Sequence, residues 1–230
     1  MKNTYVFKEI KHSGELKRFL HLRYETYLRS ANSHFIKTNE HHLDMNIFDV
    51  YSKHYALMCG DDCVGYMRVI FPKDDYQNKE ILIMGQRHGL INDEDDEHAP
   101  YPFLSYEGVP KSHWDFYNES LRLKQKVIEG SRLIVLPEYR SIRIVKFLFE
   151  CSVALHKPES NSFNCIVNCC PNHCRFYQHY GFNLIGNETY FVNNIPKASL
   201  SLPKTPQFLN PKFDEMATEF NETQKIKLQA

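Results

Sequence analysis

A carboxylate and a guanidinium lie three residues apart in a strand-like run. The run VIEGSRLIVLP (127–137) holds Glu129 and Arg132 among apolar and β-branched residues, a composition that predicts a strand. A carboxylate in such a run can accept a proton, and a guanidinium can bind an anion such as a substrate carboxylate. Because strand side chains alternate, we expect the two to face opposite sides of the sheet. An ordinary ion pair with strand neighbours is the alternative interpretation.

Two further arginines fall inside apolar patterns. Arg23 lies on the apolar face of a predicted helix, and Arg68 lies inside the strand-like run VGYMRVIF. A buried arginine is unfavourable unless a carboxylate pairs with it. Asp49 stands between these segments and is the expected partner. We predict a buried Arg23–Asp49–Arg68 network that either shapes the fold alone or also contacts substrate.

A third group of charges is a basic stripe. Arg140, Arg143 and Lys146 follow one another at intervals of three at the start of a predicted helix. Residues at this spacing are neighbours on a helix surface. Cations close to free helical N–H groups suit a phosphate or an acidic protein surface. A solvated helix face is the alternative.

The cysteines are concentrated in one segment. Four of the seven lie from Cys165 to Cys174, beside His173. Their C-x3-C-C-x3-C spacing differs from the CxxC pairs of common zinc sites. Adjacent Cys169 and Cys170 on an extended chain point in opposite directions, which hinders joint ligation. We therefore predict core thiols and no metal site, with a zinc module or a catalytic cysteine as alternatives.

The composition argues against several classes of protein. Lysine plus arginine balances aspartate plus glutamate at 28 each, so no overall charge favours nucleic acid or a membrane surface. The N-terminus lacks the apolar core of a signal peptide, and no run approaches the roughly 18 apolar residues of a membrane span. We therefore expect a cytoplasmic protein without a transmembrane segment, whose thiols are reduced.

These residues need an α/β framework to hold them. Predicted strands are TYVFKEI (4–10), both arms of a hairpin at Gly60, the 127–137 run, FNCIVNC, FNLIG and ETYFVNN. Predicted helices follow Ser13, as N-cap, and cover 114–123, 140–156 and 172–180. The turn-rich segment 74–102, with its acidic stretch at 92–97, is expected to be an irregular insertion in which ILIMG is a candidate strand. The order of elements after residue 127 predicts an α/β (α+β) fold with a mixed central sheet flanked by helices.

The domain organisation is expected to be simple. We predict a single domain over residues 1–202 and a polar C-terminal segment over 203–230. Within that segment a short docking helix would begin near Pro211. Its apolar face would consist of Phe213, Met216, Ala217 and Phe220.

Several blocks, in order, resemble a known group of enzymes. The blocks are LRYETYL (22–28), DVYSKHYAL (49–57), GYMRVI (65–70) and EGSRLIV (129–135). They resemble the acyl-homoserine-lactone (autoinducer) synthases and, more closely, the related long-chain N-acyl amino acid synthases of the GNAT superfamily. PNHCRFYQHYGF (171–182) and NNIPKASLSL (193–202) are more similar to the latter. The blocks are distributed along the chain between residues 22 and 202.

The resemblance implies a GNAT-type fold and an N-acyltransferase. Such an enzyme moves a fatty-acyl group from acyl carrier protein, or from acyl-CoA, to the α-amine of an amino acid or similar small amine. The donor is an acyl-phosphopantetheine thioester, and no cofactor is tightly bound. The implied catalytic residues are Glu129, as a base acting through water, and Tyr177, which either protonates the leaving thiolate or packs above Gly181-Phe182.

The resemblance also implies roles for other residues. The substrate-side residues would be Arg23, Asp49, Arg68 and Arg132. Backbone N–H groups around Leu133, Ile134, Val135 and Leu136 would polarise the thioester carbonyl. The phosphopantetheine contacts would be Arg140, Arg143 and Lys146.

Two positions depart from the pattern of these enzymes. The superfamily turn is Arg/Gln-x-x-Gly-x-Gly/Ala, whereas this chain has Arg140-Ser-Ile-Arg143-Ile-Val145, so both small positions carry larger side chains. Larger side chains disfavour a close approach of backbone N–H groups to a pyrophosphate, which favours acyl carrier protein over coenzyme A. The autoinducer pattern also has two aspartates three apart. Asp49 fits the second, but Asn46 occupies the first position, and Asp44 lies out of register.

Two other functions remain open at this point. One is a short-chain GNAT acetyltransferase that uses acetyl-CoA. The other is a catalytically inactive relative that binds acyl groups or a protein partner.

Overall fold

The computed structural model describes residues 4–30, 33, 36–92, 100–159, 163–202 and 211–229. The strands are β1 (Thr4–Ile10), β2 (Ser52–Cys59), β3 (Asp62–Ile70), β4 (Lys126–Val135), β5 (Phe163–Cys169), β6 (Asn183–Leu184), β7 (Tyr190–Val192), β8 (Ile195–Leu202) and β9 (Lys225–Gln229). The helices are α1 (Ser13–Leu28), α2 (Ile47–Val50), α3 (Lys79–Arg87), α4 (Pro102–Ser105), α5 (Lys111–Arg122), α6 (Ile142–Glu159), α7 (Cys174–Gln178) and α8 (Pro211–Thr223). Most of the acidic stretch at 92–97 lies outside the described residues.

The strands form one continuous arrangement. Their order is β6-β8-β5-β4-β3-β2-β1-β9, and β7 pairs with β8. β4 and β5 are parallel, whereas the other pairs are antiparallel. The predicted hairpin between β2 and β3 turns at Gly60, whose φ of 60° suits a residue without a Cβ atom. A mixed sheet flanked by helices confirms the predicted fold class.

The sheet opens between its two parallel strands. β4 pairs with β5 only as far as Gly130, opposite Val167, although β4 continues to Val135. Beyond Gly130 the two strands separate. Side chains that border this gap can therefore project into the space between the two strands, and not only onto the two faces of the sheet.

Helices cover both faces of the sheet with separate apolar cores. On one face α6 and α8 contribute Ile144, Phe147, Phe213 and Phe220 to the first core. On the other face α1, α3 and α4 contribute Leu16, Phe19, Ile81 and Phe103 to the second. Both faces are thus closed, as a parallel strand pair in the middle of a sheet requires. No helix in the described ranges is both long and apolar enough to cross a membrane.

The segment expected to be irregular contains a helix. ILIMG belongs to α3, and the candidate strand there is wrong. The Asn78 side chain accepts hydrogen bonds from the N–H groups of Glu80 and Ile81, which caps the helix. Ile81 and Gly85 are buried, and Gly85 lies against Ile91. The cap and the buried face stabilise this helix. A short apolar run such as ILIMG fits either a helix or a strand, so the sequence pattern alone does not distinguish the two.

Four helix starts also differ from expectation, and one of them is that of α5, which begins at Lys111 instead of Trp114. Ser13 is the first residue of α1, and His12 occupies the N-cap position without a side-chain bond. The helix predicted from residue 140 begins at Ile142, where the Ser141 hydroxyl accepts a hydrogen bond from the N–H of Ile144. The helix predicted from residue 172 starts as a 3-10 turn, Pro171–His173, before α7.

The C-terminal segment joins the sheet. The predicted docking helix begins at Pro211, and its Phe213, Met216 and Phe220 are buried. The strand that follows it, β9, pairs antiparallel with β1 and was not predicted. Residues 211–229 therefore share the core and the sheet of the preceding chain.

Candidate active site

A cleft lies where β4 and β5 separate. Its volume is about 680 Å³, and its walls include Glu129, Arg132, Arg68, Tyr106, Tyr177 and Lys197. These side chains come from strands β3, β4 and β8, from helix α7 and from the loop after α4. The gap in the sheet thus brings together both predicted catalytic residues and three of the other predicted site residues, Arg68, Arg132 and Leu133.

Glu129 is a buried carboxylate at the base of this cleft. Its side chain is 2% exposed, its Oε2 accepts a hydrogen bond from the N–H of Phe103 (3.0 Å), and its Oε1 accepts one from Nδ2 of Asn168 (3.2 Å). Burial raises the pKa of Glu129 from 4.5 to about 7, although the Phe103 N–H, Arg68 and Asn168 oppose the increase. A carboxylate with this pKa is partly ionised at neutral pH and can act as a general base.

Arg132 does not face away from Glu129, and the prediction from strand alternation is wrong. Arg68 pairs with Ser131, whereas Tyr66 pairs with Ile134, so β4 has one extra residue opposite β3. This is a β-bulge, and Arg132 within it has a φ of 56°. The extra residue changes the alternation, and both Glu129 and Arg132 line the cleft.

The guanidinium of Arg132 contacts Tyr27 and Asp44, and one of its N–H donors makes no hydrogen bond among the described residues. The Cζ atom of its guanidinium lies over the ring of Tyr27, 5.0 Å from the ring centroid. Its Nε is 3.3 Å from Oδ2 of Asp44. That Nε is nevertheless buried without a hydrogen bond among the described residues. A buried donor of this kind normally has a partner in a protein or in its ligand.

The predicted network of Arg23, Asp49 and Arg68 is present. Arg23 and Arg68 each approach Oδ1 of Asp49 to 2.6 Å, and Arg23 and Asp49 are completely buried. Burial alone would raise the pKa of Asp49, but the two guanidinium groups outweigh burial and hold it well below its usual range. Of the three, Arg68 borders the cleft. Arg23 and Asp49 lie beneath it as support.

Asp44 joins this network although the sequence pattern placed it out of register. Its Oδ2 accepts a hydrogen bond from Nε of Arg23 at 2.9 Å, and its carboxylate also faces Arg132. Asn46, at the expected aspartate position, caps α2 and accepts a bond from Arg68. We call Arg23, Asp44, Asp49, Arg68 and Arg132 the charge cluster. Three guanidinium groups face two carboxylates, so the charge cluster retains one positive charge.

The basic stripe lies at the edge of the cleft. Arg140 donates from Nε and Nη2 to the carbonyl of Val135 (3.2 and 2.9 Å), so its guanidinium covers the end of β4. Lys146 lies 3.8 Å from Glu150. Arg143 is exposed on the first turn of α6. We call these three cations, with the turn that carries them, the basic turn.

The four predicted backbone donors do not all face the cleft. The N–H of Leu136 donates to the carbonyl of Val64 in the hairpin, which contradicts its predicted role. Ile134 and Val135 have buried side chains and pair with β3. Leu133, next to the bulge, lines the cleft. The N–H groups close to Leu133 are therefore the remaining candidates to polarise a carbonyl.

An apolar cavity adjoins the cleft. It measures about 250 Å³ and lies between the sheet and helices α6 and α8. The two spaces share the lining residues Gly130, Ser131, Leu133, Phe149 and Tyr177. A ligand that occupies the cleft at Leu133 can therefore extend an apolar portion toward this cavity.

Tyr177 stands at the junction of the two spaces. Its ring makes edge contacts with Phe149 (5.1 Å between centroids) and Phe182 (5.6 Å). Tyr177 therefore packs against aromatic side chains and also lines the cleft, so its position is compatible with both predicted roles. Burial raises the pKa of the Tyr177 hydroxyl, which keeps its proton at neutral pH.

Two of the four clustered cysteines are core thiols as predicted, whereas Cys170 and Cys174 are partly exposed. Cys165 and Cys169 are buried, and Sγ of Cys169 lies 3.9 Å from Sγ of Cys174. Burial raises the pKa of Cys165 to about 12 and also raises that of Cys169. Within the described part of the chain, no three histidine, cysteine, aspartate or glutamate side chains are grouped to hold a metal ion.

Sequence reasoning missed several residues of the site. Asn168 and Phe103 hold the Glu129 carboxylate, and Tyr106 and Lys197 line the cleft. Asn168 directly precedes the cysteine pair at the end of a predicted strand, a position that could have indicated it. Phe103 and Tyr106 carry no such signal, because they lie between the segment 74–102 and the helix predicted at 114–123, where no element was predicted.

Comparison with solved structures identifies the architecture. FeeM, an N-acyl amino acid synthase from uncultured soil microbes, superimposes with a TM-score of 0.53 at 14% identity, over 94% of this chain and 98% of FeeM. BjaI, a CoA-dependent acyl-homoserine lactone synthase, gives 0.60 at 12% identity, over 92% and 89%. An acyl-CoA N-acyltransferase from Pseudomonas aeruginosa gives 0.50 at 14%, over 86% and 98%. This chain has the GNAT-type acyltransferase fold.

The sequence comparisons found no match, in contrast to the structural comparison. No protein-family model and no curated protein sequence matches the chain. At 12–14% identity the superpositions show a common fold, which confirms the resemblance in architecture that the sequence blocks predicted.

Proposed function

We propose that this protein transfers a fatty-acyl group from a phosphopantetheine thioester to the α-amine of an amino acid. The observation that carries the proposal is a buried carboxylate with a pKa of about 7, Glu129, that shares one cleft with Arg132. The apolar cavity beside that cleft provides a place for an acyl chain. The solved structures with this fold include enzymes described as synthases of N-acyl amino acids and of acyl-homoserine lactones, which supports the same choice.

The reaction needs a neutral amine and a base to accept its proton. Glu129, with water as a carrier, takes the proton of the acceptor's ammonium group. The free amine then attacks the thioester carbonyl carbon, and the C–N bond forms as the C–S bond breaks. As the amide forms, its nitrogen loses a second proton, which reaches the leaving thiolate through the Tyr177 hydroxyl, while Glu129 returns the first proton to solvent. The products are an N-acyl amino acid and a free phosphopantetheine thiol.

The charge cluster suits the carboxylate of the acceptor. Its surplus positive charge lies at the cleft, where Arg68 and Arg132 present guanidinium groups. The side chain of Arg132 is 16% exposed and lines the cleft, where its guanidinium would donate charge-assisted hydrogen bonds to that carboxylate in addition to its contact with Asp44. An amino acid bound there would direct its amine toward Glu129.

The basic turn favours a carrier protein as donor. Arg143 and Val145, of which Val145 lines the cleft, occupy the positions where small residues would let backbone N–H groups contact a pyrophosphate. A phosphopantetheine arm on acyl carrier protein carries a single phosphate instead. Arg143 and Lys146 lie on the exposed face of α6 beside this point and would contact the acidic surface of such a carrier.

The apolar cavity would receive the acyl chain. The chain would enter past Leu133 and Tyr177 and run along Phe149 and Val153 of α6. Burial of each methylene there contributes about 0.8 kcal/mol, which favours a long chain over an acetyl group.

The test is product analysis with matched donors. The purified protein is incubated with one long-chain acyl group on acyl carrier protein, on coenzyme A and on free pantetheine, together with a mixture of amino acids. We expect N-acyl amino acids by mass spectrometry, fastest with the carrier protein. Absence of any acylated product with every donor would refute the proposal, and a preference for acetyl-CoA would replace it with a short-chain acetyltransferase.

A further inference from the structure

Two donors from different parts of the chain hold the carboxylate of Glu129. The N–H of Phe103, in the short helix α4, donates to Oε2 at 3.0 Å. The amide nitrogen of Asn168, near the end of β5, donates to Oε1 at 3.2 Å. The Phe103 contact is a backbone contact and is fixed by the fold. The Asn168 contact depends on a side chain, and an amide side chain can present either its nitrogen or its oxygen.

Two buried hydroxyl groups determine which end of the Asn168 amide faces Glu129. The Tyr190 hydroxyl donates to Oδ1 of Asn168 at 3.2 Å, and the Ser199 hydroxyl donates to the same oxygen. The two hydroxyls lie 3.2 Å apart. Tyr190 is 5% exposed and Ser199 is 2% exposed, so water does not readily replace them. The amide oxygen is thereby occupied on the side away from the carboxylate.

The sheet itself holds these groups in place. Asn168 and Ser199 are direct partners in the antiparallel β5–β8 pair, so their side chains project from the same face. Tyr190 reaches them from β7, which pairs with the other part of β8. If the amide turned over, its oxygen would face a carboxylate oxygen, and both would be acceptors. An ionised Glu129 therefore has one compatible orientation of Asn168.

We propose that Asn168 is a positioning residue that fixes and stabilises the ionised Glu129 carboxylate in the cleft, and that Ser199 and Tyr190 act through it by fixing its amide. Glu129 touches the reacting groups in the proposed function, on which this inference rests for its catalytic meaning. Asn168 supplies a fixed hydrogen-bond donor that acts against the effect of burial. Glu129 then ionises near neutral pH and not well above it.

Other groups also face Glu129 and are taken into account. Arg68 and Arg132 favour its ionised form. Burial raises the pKa of the remaining titratable neighbours, which therefore stay neutral near pH 7: Tyr101, Tyr106, Cys165 and Tyr190. None of these changes its charge near pH 7, so the titration of Glu129 reports on its own contacts.

The test measures the ionisation of Glu129 directly and needs no substrate. The protein is labelled with glutamate that carries ¹³C at the side-chain carboxyl, and the signal of Glu129 is assigned by its loss in Glu129→Gln. Its chemical shift is followed against pH by NMR in the parent protein and in Asn168→Leu, Ser199→Ala and Tyr190→Phe. Asn164→Leu is the matched control, because Asn164 is a buried amide on the same strand that bonds Ser120 and Gln125 instead.

We expect Asn168→Leu to raise the midpoint of the Glu129 titration by about one pH unit, since one hydrogen bond to the charged form is lost. Ser199→Ala and Tyr190→Phe are expected to raise it less, and Asn164→Leu to leave it in place. An unchanged midpoint in folded Asn168→Leu would overturn the proposal. If circular dichroism shows that this variant does not fold, unchanged midpoints in both Ser199→Ala and Tyr190→Phe would overturn it.

Failure of the proposed function would look different. A protein that acylates no amine refutes the function, while the shift of the midpoint still supports Asn168. Where turnover is measured, the acid limb of the kcat/KM profile should move in Asn168→Leu by the same amount as the NMR midpoint. A purely structural role would lower the free energy of unfolding without moving either quantity.

Discussion

The charge cluster and the basic turn are both built around arginine, yet they differ in burial and in partners. Arg23 and Arg68 are 0% and 2% exposed and share Asp49 at 2.6 Å. Arg143 and Lys146 are exposed on α6, and Lys146 is 3.8 Å from its acidic neighbour. Charges in a low-dielectric setting interact strongly, and exposed ones are screened. The cluster is therefore a preformed part of the fold, whereas the turn suits a contact that forms and dissociates.

The largest effect should come from breaking the charge cluster. Asp49→Ala leaves Arg23 and Arg68 buried without their shared carboxylate, and we expect the free energy of unfolding to fall by about 3–5 kcal/mol. Denaturant titration followed by circular dichroism measures this change. Glu138→Gln, an exposed acid beside the basic turn, is the control and should leave stability nearly unchanged. A loss below about 1 kcal/mol in Asp49→Ala would show that the charge cluster stabilises the fold no more than an exposed ion pair does.

The raised pKa of Glu129, which lies beside the charge cluster, should make the free energy of unfolding depend on pH. Its folded pKa of about 7 lies above its ordinary 4.5, so the stabilisation it provides is complete below pH 4.5 and is lost as pH rises through 7. The shift corresponds to about 3 kcal/mol. We expect the parent protein, relative to Glu129→Gln, to lose stability by about this amount between pH 4.5 and 8.

The comparison with Glu129→Gln removes other contributions to that profile. His54 has a pKa lowered to about 4 by burial, so it acts in the opposite direction as pH falls from 6.5. Its contribution is common to both proteins. Parallel stability profiles for the parent and the variant, from urea titrations at each pH, would contradict the raised pKa of Glu129.

A smaller effect is expected from Arg132 on the acceptor alone. Arg132→Met removes a charge-assisted hydrogen bond to the acceptor carboxylate, and kcat/KM for an amino acid should fall roughly 10- to 100-fold. The KM of the acyl donor should stay the same. Steady-state kinetics with an amino acid and with the matching amine that lacks a carboxylate provide the control. An equal loss for both acceptors would show that Arg132 does not bind the carboxylate.

The smallest effect should come from the basic turn. Arg143→Glu reverses one exposed charge, and we expect the KM of a carrier-bound donor to rise roughly two- to fivefold at low salt. The same acyl group on free pantetheine should be used equally well by both proteins. The difference should disappear at high ionic strength. A change that persists in high salt would mean that Arg143 contributes to the cleft itself.

Several parts of this molecule could be predicted because local pattern controlled them. The strands TYVFKEI and FNCIVNC match β1 and β5, and the hairpin turns at Gly60. The pairing of Arg23 and Arg68 with Asp49 followed from the energy of buried charge, which requires a partner wherever the chain places it. ILIMG failed because a short apolar run fits either a helix or a strand, and the cap at Asn78 decided between them.

The chemical groups, the GNAT-type blocks and most of the elements that carry them can be read from the amino-acid order. How those groups meet depends on the folded sheet. One extra residue in β4 brings Arg132 to the same cleft as Glu129, and strand alternation alone predicts the reverse. Asp44 and Asn168 acquire their partners from segments distant in the chain. Register and burial are properties of paired strands, and for that reason the pKa of Glu129 and the orientation of Asn168 follow from the folded sheet and not from any single segment.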